Sequence, residues 1–275
     1  MTKQTEGNLG FSCTFEYLSM MIRSFAVILF ILACLPKVQA QSAFPDQPTI
    51  LYDHQQYGGG SISSIGWGGF YSYGKYKNAT KLRLFEAGIH FIKHEKEFKR
   101  FSSDPNARGY VYGKQNSFFV LRASAGTKKT ITEKLRKNGV QLSYNWTAGP
   151  SFGFTKPVYL EIFYLPENGP YYIQVEKFNP EEHFIDNIYG RAGGLRGFNE
   201  LRFYPGLNAK FSLLVEYSNV RDGLKGIEVG GQVDIFAREI PIMAEKILQV
   251  QEQSAKNHQI FPSLFINFFF GRKFD

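Results

Sequence analysis

Long hydrophobic runs are missing from this chain. In 275 residues the one extended apolar stretch, Phe25 to Leu35, spans 11 positions, and a bilayer-crossing helix needs about 20. A helical membrane bundle is therefore excluded. Cysteine is almost absent too: Cys13 and Cys34 are the whole complement, and both fall in the N-terminal 40 residues, so the remainder can hold neither a disulfide framework nor a thiolate metal site. Two or three scattered histidines without close ligand spacing argue against a metal site. Gly190 to Gly197 (GRAGGLRG) lacks the Lys-Ser/Thr ending of a phosphate-cradling loop. No catalytic, cofactor-binding or metal-ligating set is nominated, and no cofactor is expected.

The short apolar run is informative in another way. Arg23 precedes it and Val38-Gln39-Ala40 follows, the arrangement of a signal peptide with cleavage after Ala40. Met20 and Met21 are alternative starts, and Cys34, preceded by Ile31-Leu32-Ala33, is a poor lipidation site. Residues 1–40 are read as signal peptide, 41–56 as a flexible lead-in and 57–275 as the folded domain. Removing 1–40 takes away three basic and two acidic residues, which lowers the net charge from +8 to +7. In an exported protein that charge points away from nucleic acid and toward anionic envelope lipid, lipopolysaccharide included.

What the chain has in abundance is glycine and aromatics, 27 Gly and 27 Phe, with a period-two alternation. Ile227, Val229, Val233 and Ile235 alternate with Glu228, Gln232 and Asp234; Phe211, Leu213 and Val215 alternate with Lys210, Ser212 and Glu216. Leu142, Tyr144 and Trp146 alternate with Ser143, Asn145 and Thr147 in the same manner. The mean hydropathy of −0.25 conceals such strands, because their polar half cancels their apolar half. Segments of this kind predict eight strands, at Ser61–Tyr73, Phe85–Phe91, Phe119–Gly126, Val140–Gly149, Val158–Tyr164, Leu207–Ser218, Ile227–Ala237 and Leu264–Phe274. The fold class is all-β, an antiparallel up-and-down transmembrane β-barrel of about eight strands with long outer loops.

With both termini in the periplasm, the long connections Pro166 to Pro205 and Glu239 to Gln259 fall outside. The connection Lys93 to Gln115 is the exception, being long and charged where a short inner turn is expected. Glu86, His90, Arg122, Glu161, Lys210, Glu216, Glu228, Asp234 and Arg238 are expected to point inward and to pair as a plug. Pro180 to Tyr189 and Pro241 to Ala255 are candidate short helices in the outer loops.

With its C-terminal Phe268-Phe269-Phe270-Gly271-Arg272-Lys273-Phe274, the chain resembles the small outer-membrane β-barrels of Gram-negative bacteria. It looks most like uncharacterised Bacteroidota barrels through Tyr112 to Asn116 (YGKQN), Gly149 to Pro157 (GPSFGFTKP) and Ile240 to Ala244 (IPIMA). The resemblance implies fold and an outer-membrane location, and supplies no catalytic residues. The functional expectation is a non-enzymatic barrel, a structural element or a membrane-embedded subunit of an envelope assembly whose outer loops meet a protein partner. A small channel or ligand-transfer barrel is the alternative. A lipid-modifying enzyme is a third reading, and would need a Ser and a His together near the outer rim.

Overall fold

In the strand His258–Phe274 every second residue from Pro262 to Phe270 is exposed, and Ser263, Phe265, Asn267 and Phe269 between them are buried. A sheet with two such faces satisfies its backbone everywhere by closing on itself. The computed structural model describes residues 52–102, 104–132, 139–167, 169–218, 222–245 and 255–275, and the expected signal peptide, with Cys13 and Cys34, lies outside them.

The described strands are β1 (His54–Ser63), β2 (Gly66–Asn78), β3 (Lys81–Ile92), β4 (Lys99–Arg100), β5 (Tyr110–Val111), β6 (Asn116–Thr132) and β7 (Gln141–Pro157), then β8 (Tyr159–Tyr164), β9 (Tyr172–Lys177), β10 (Ile188–Arg191), β11 (Arg202–Glu216), β12 (Gly223–Ile240) and β13 (His258–Phe274). Eight of them form a closed antiparallel barrel in the order β1-β13-β12-β11-β7-β6-β3-β2. Pairing from His54↔Phe274 to Ser63↔Phe265 shuts it.

The count of eight holds, but with two changes of membership. Ser61–Tyr73 is not one strand: the chain reverses at Ser64-Ile65, where the Ser63 hydroxyl donates to Gly66 O at 3.1 Å, so β1 and β2 are separate. β1 also starts at His54, inside the expected lead-in. Its Gly58-Gly59-Gly60 centre has no side chains to alternate, and a Cβ on Gly59 would meet Phe268 O at 1.8 Å. Val158–Tyr164, in turn, leaves the barrel and forms β8 of a separate three-stranded sheet ordered β10-β8-β9.

These changes shift the direction of every strand between them, and the misplaced connection falls into line. The connections that follow Ile92, Pro157 and Ile240 leave from one end of the barrel. Those that follow Asn78, Thr132 and Glu216 leave from the other, where the barrel's first and last residues, His54 and Phe274, also lie. The expected helix Pro180–Tyr189 is not found, since residues 180–187 form turns that lead into β10; of the expected helix Pro241–Ala255, Pro241–Glu245 is non-helical and 246–254 lie outside the described residues.

Candidate functional site: the lumen and its cap

Inside the barrel, side chains divide into three layers. At the short-turn end Tyr57, Phe70, Leu82, Leu84, Leu214, Leu224 and Phe269 pack together. At the long-loop end Ile92, Phe118, Val120, Phe236, Ile240 and Phe261 form a second cluster, completed by Ile242, Met243 and Ala255 from the loop. Polar residues lie between. Period two explains this: inward positions of neighbouring strands line up by register, so a change of residue class along each strand becomes a layer across the barrel.

The middle layer is built from two ionic groups. Lys210 Nζ donates to Glu86 at 2.6 Å and lies 3.1 Å from Glu228 Oε1. Glu228 also accepts from Ser212 Oγ at 2.5 Å, Asn267 Nδ2 at 2.9 Å and Asn145 Nδ2 at 3.2 Å. The second group is a two-pronged pair, with Arg122 Nε and Nη2 donating to Asp234 at 3.0 and 2.7 Å and Ser151 Oγ adding a bond at 2.9 Å. Each buried charge is thus answered by an opposite charge and by hydroxyl or amide groups, the condition under which buried charge is tolerated.

Seven of the nine expected inward residues line the lumen: Glu86, His90, Arg122, Lys210, Glu216, Glu228 and Asp234. Two do not. Glu161 belongs to β8, outside the barrel, and Arg238 is exposed because the register slips between Ile235 and Ile240. Read as the second, descending strand, Phe85–Phe91 puts His90 toward the periplasmic end; β3 runs the other way, so His90 sits toward the long-loop end. Sequence reasoning missed Lys128, which is buried and lies 5.4 Å above the Tyr57 ring. The alternation of Thr127, Lys128 and Lys129 past Gly126 was the available signal.

Over the long-loop end sits a cap with its own apolar core of Tyr110, Tyr112, Leu160, Ile162, Phe178, Ile188 and Ala244. Three motifs that are far apart in the chain meet here. The amides of Gln115 and Asn116 both donate to Ile242 O, Asn116 Nδ2 donates to Pro241 O at 2.6 Å, and Ala244 N donates to Gly113 O at 2.8 Å. Val158 N, next to Pro157, donates to Gln115 O. Buried Asn257 fastens the loop by accepting from the amides of Ile242 and Met243 and donating to Met243 O. Gly113 allows the turn, with φ of 79°.

The cap's electrostatics are local. Tyr159 donates to Glu200 and Lys177 Nζ donates to its other oxygen at 2.9 Å. These bonds hold the Glu200 carboxyl below its usual range, the Tyr159 bond contributing most, and the same bond raises the Tyr159 hydroxyl. Buried His183 accepts from Asn179 N and meets Glu176 at 3.1 Å, while His94 meets Lys256 O and accepts from Lys96 N. Both histidines are engaged by groups other than serine. Among the described residues no cluster of three potential metal ligands occurs.

The outer wall carries a band of exposed apolar side chains to which all eight strands contribute: Ile62, Trp67, Ile89, Leu121, Trp146, Leu213, Val229 and Ile266. Leu264 is 73% and Phe270 70% exposed, far beyond the scattered apolar residues of a water-facing surface. No helix among the described residues is long and apolar enough to cross a membrane.

No family model and no curated protein matches the chain. Among solved structures it is similar to Ail, the attachment invasion locus protein of Yersinia pestis, with a TM-score of 0.38 and 11% identity over 82% of this chain and 100% of that one. It is also similar to Neisserial surface protein A (NspA), with a TM-score of 0.33 and 7% identity over 80% and 94% of the two chains.

Proposed function

We propose that this protein is a non-enzymatic outer-membrane β-barrel with a closed lumen, an embedded element that offers its cap to a partner in the envelope. The observation that carries the reading is the layered interior, in which a paired charged layer lies between two clusters of buried apolar side chains. The encircling apolar band supports the membrane location, and long loops at one end with short turns and both barrel termini at the other support an outward-facing cap. Lipopolysaccharide beside the loops is part of the proposal, as is kinship with Bacteroidota barrels, which rests on the three motifs that meet in the cap.

Planar-bilayer recording tests the closed lumen. Purified protein is expected to give no reproducible conductance, and a steady open current would favour the small-channel alternative. Heat-modifiable migration of protein from the outer-membrane fraction checks the location. Co-purification of the intact chain in mild detergent identifies the partner.

A further inference from the structure

The outer wall at the short-turn end carries an electrostatic cost that the fold itself does not relieve. On β2, β3 and β6 the outward positions toward that rim include Lys75, Lys77, Lys81, Arg83 and Lys129. The pairing sets Lys75 opposite Arg83 and Lys81 opposite Lys129, and like charges in register on neighbouring strands destabilise a sheet. Glu86, the single acid in these three strands, points inward to Lys210. Among the described residues none of the five cations has an acidic partner.

The surroundings show what would relieve it. Lys77, Lys81, Arg83 and Lys129 border a groove of about 360 Å³ that also takes in Trp146. Further from the rim, on β2, β3, β6 and β7, lies an apolar groove of about 460 Å³ lined by Tyr71, Phe85, Ala87, Ala123, Ala125 and Ala148. Cations and an exposed tryptophan at the edge of an apolar band mark headgroup depth, and a shallow small-residue channel beyond them has the form an acyl chain fills.

We infer that this surface is a phospholipid site. Two opposed cation pairs suit a headgroup with two phosphates, of the diphosphatidylglycerol class, with an acyl chain along the alanine groove. The inference rests on the outer-membrane reading, with the short-turn rim in the inner leaflet.

Native mass spectrometry of the full chain, extracted from the outer membrane in mild detergent, tests it with added diphosphatidylglycerol as the probe. Wild type is expected to retain one two-phosphate phospholipid. The triple variant Lys81→Gln/Arg83→Gln/Lys129→Gln should retain it about fivefold more weakly per neutralised cation, with unchanged heat-modifiable migration. In lipid-free detergent the same variant should unfold at a higher temperature than wild type, because the opposed like charges are gone. Equal retention by variant and wild type overturns the site. Retention of two-phosphate lipid A in place of phospholipid overturns it as well, and moves this rim to the outer leaflet. Neither result bears on conductance, so the closed lumen stands or falls separately.

Discussion

The lumen and the cap solve the same problem, burying what water would otherwise hold, by opposite means. In the lumen the partners come from strands distant in sequence, Lys210 and Glu86 being 124 positions apart and Arg122 and Asp234 112 apart, and the regular ladder of the barrel delivers them. In the cap, short strands and irregular segments share a small apolar core and are joined by local backbone bonds and the buried amide of Asn257. A fault in the lumen is therefore felt by every strand that the middle layer joins. A fault in the cap is felt by the segments it fastens.

The largest effect is expected from breaking the comparison on the lumen side. Asp234→Ala leaves Arg122 buried without its counter-charge, at a cost of about 3–5 kcal/mol. Urea unfolding in detergent, followed by heat-modifiable migration, should show the whole barrel weakened. Arg122→Leu combined with Asp234→Leu should recover most of the loss, since a well-packed apolar pair replaces a buried ion pair at little cost. If the double variant is as weak as the single one, it is not the orphaned charge that matters.

On the cap side, Asn257→Ala removes the acceptor for two buried amides, at about 1–3 kcal/mol. Hydrogen exchange should rise across Ile242 to Ala244 while the barrel strands keep their protection. Gly113→Ala comes next. Its positive φ makes a Cβ costly by about 1–2 kcal/mol, again read as faster exchange confined to the cap. Loss of barrel protection in either variant would show that the cap is a structural part of the barrel rather than a cover on it.

The contrast also governs what the sequence made legible. Where strands face lipid on one side and the polar middle layer on the other, alternation is strict, and the strands around Trp146, Leu213 and Val229 were placed by it together with their inward charges. At Gly58 to Gly60 there are no side chains to alternate, and at Gly59 β1 approaches β13 too closely for one, so the pattern vanishes there. β8 deceived in the opposite sense. Leu160 and Ile162 alternate with Tyr159, Glu161 and Phe163 as barrel residues do, but they bury into the cap core, and period two reports that one face is covered without reporting by what. The three cap motifs were visible as motifs, but their meeting depends on loop paths that no periodicity encodes.

The smallest expected effect is in the cap's response to acid. The Glu200 carboxyl is held below its usual range by the Tyr159 hydroxyl and then by Lys177. A depressed carboxyl binds fewer protons folded than unfolded, so its contribution is present above the unfolded value of about 4.3 and fades as pH falls through the folded value. Asp104, lowered by the amide of Asn106 and then the Tyr189 hydroxyl, fades in the same direction. Glu200 is exposed and Asp104 half-buried at the surface, so solvent screening keeps the effect slight. Hydrogen exchange on β9, which carries Lys177, should quicken between about pH 5 and pH 3 beyond its ordinary chemical pH dependence. In Glu200→Gln that added step should be gone, while residues 104–107, governed by Asp104, keep theirs. An identical profile on β9 in both proteins would mean that the Tyr159, Lys177 and Glu200 bonds decorate the cap without fastening it, and would leave its apolar core and Asn257 as what holds it over the barrel.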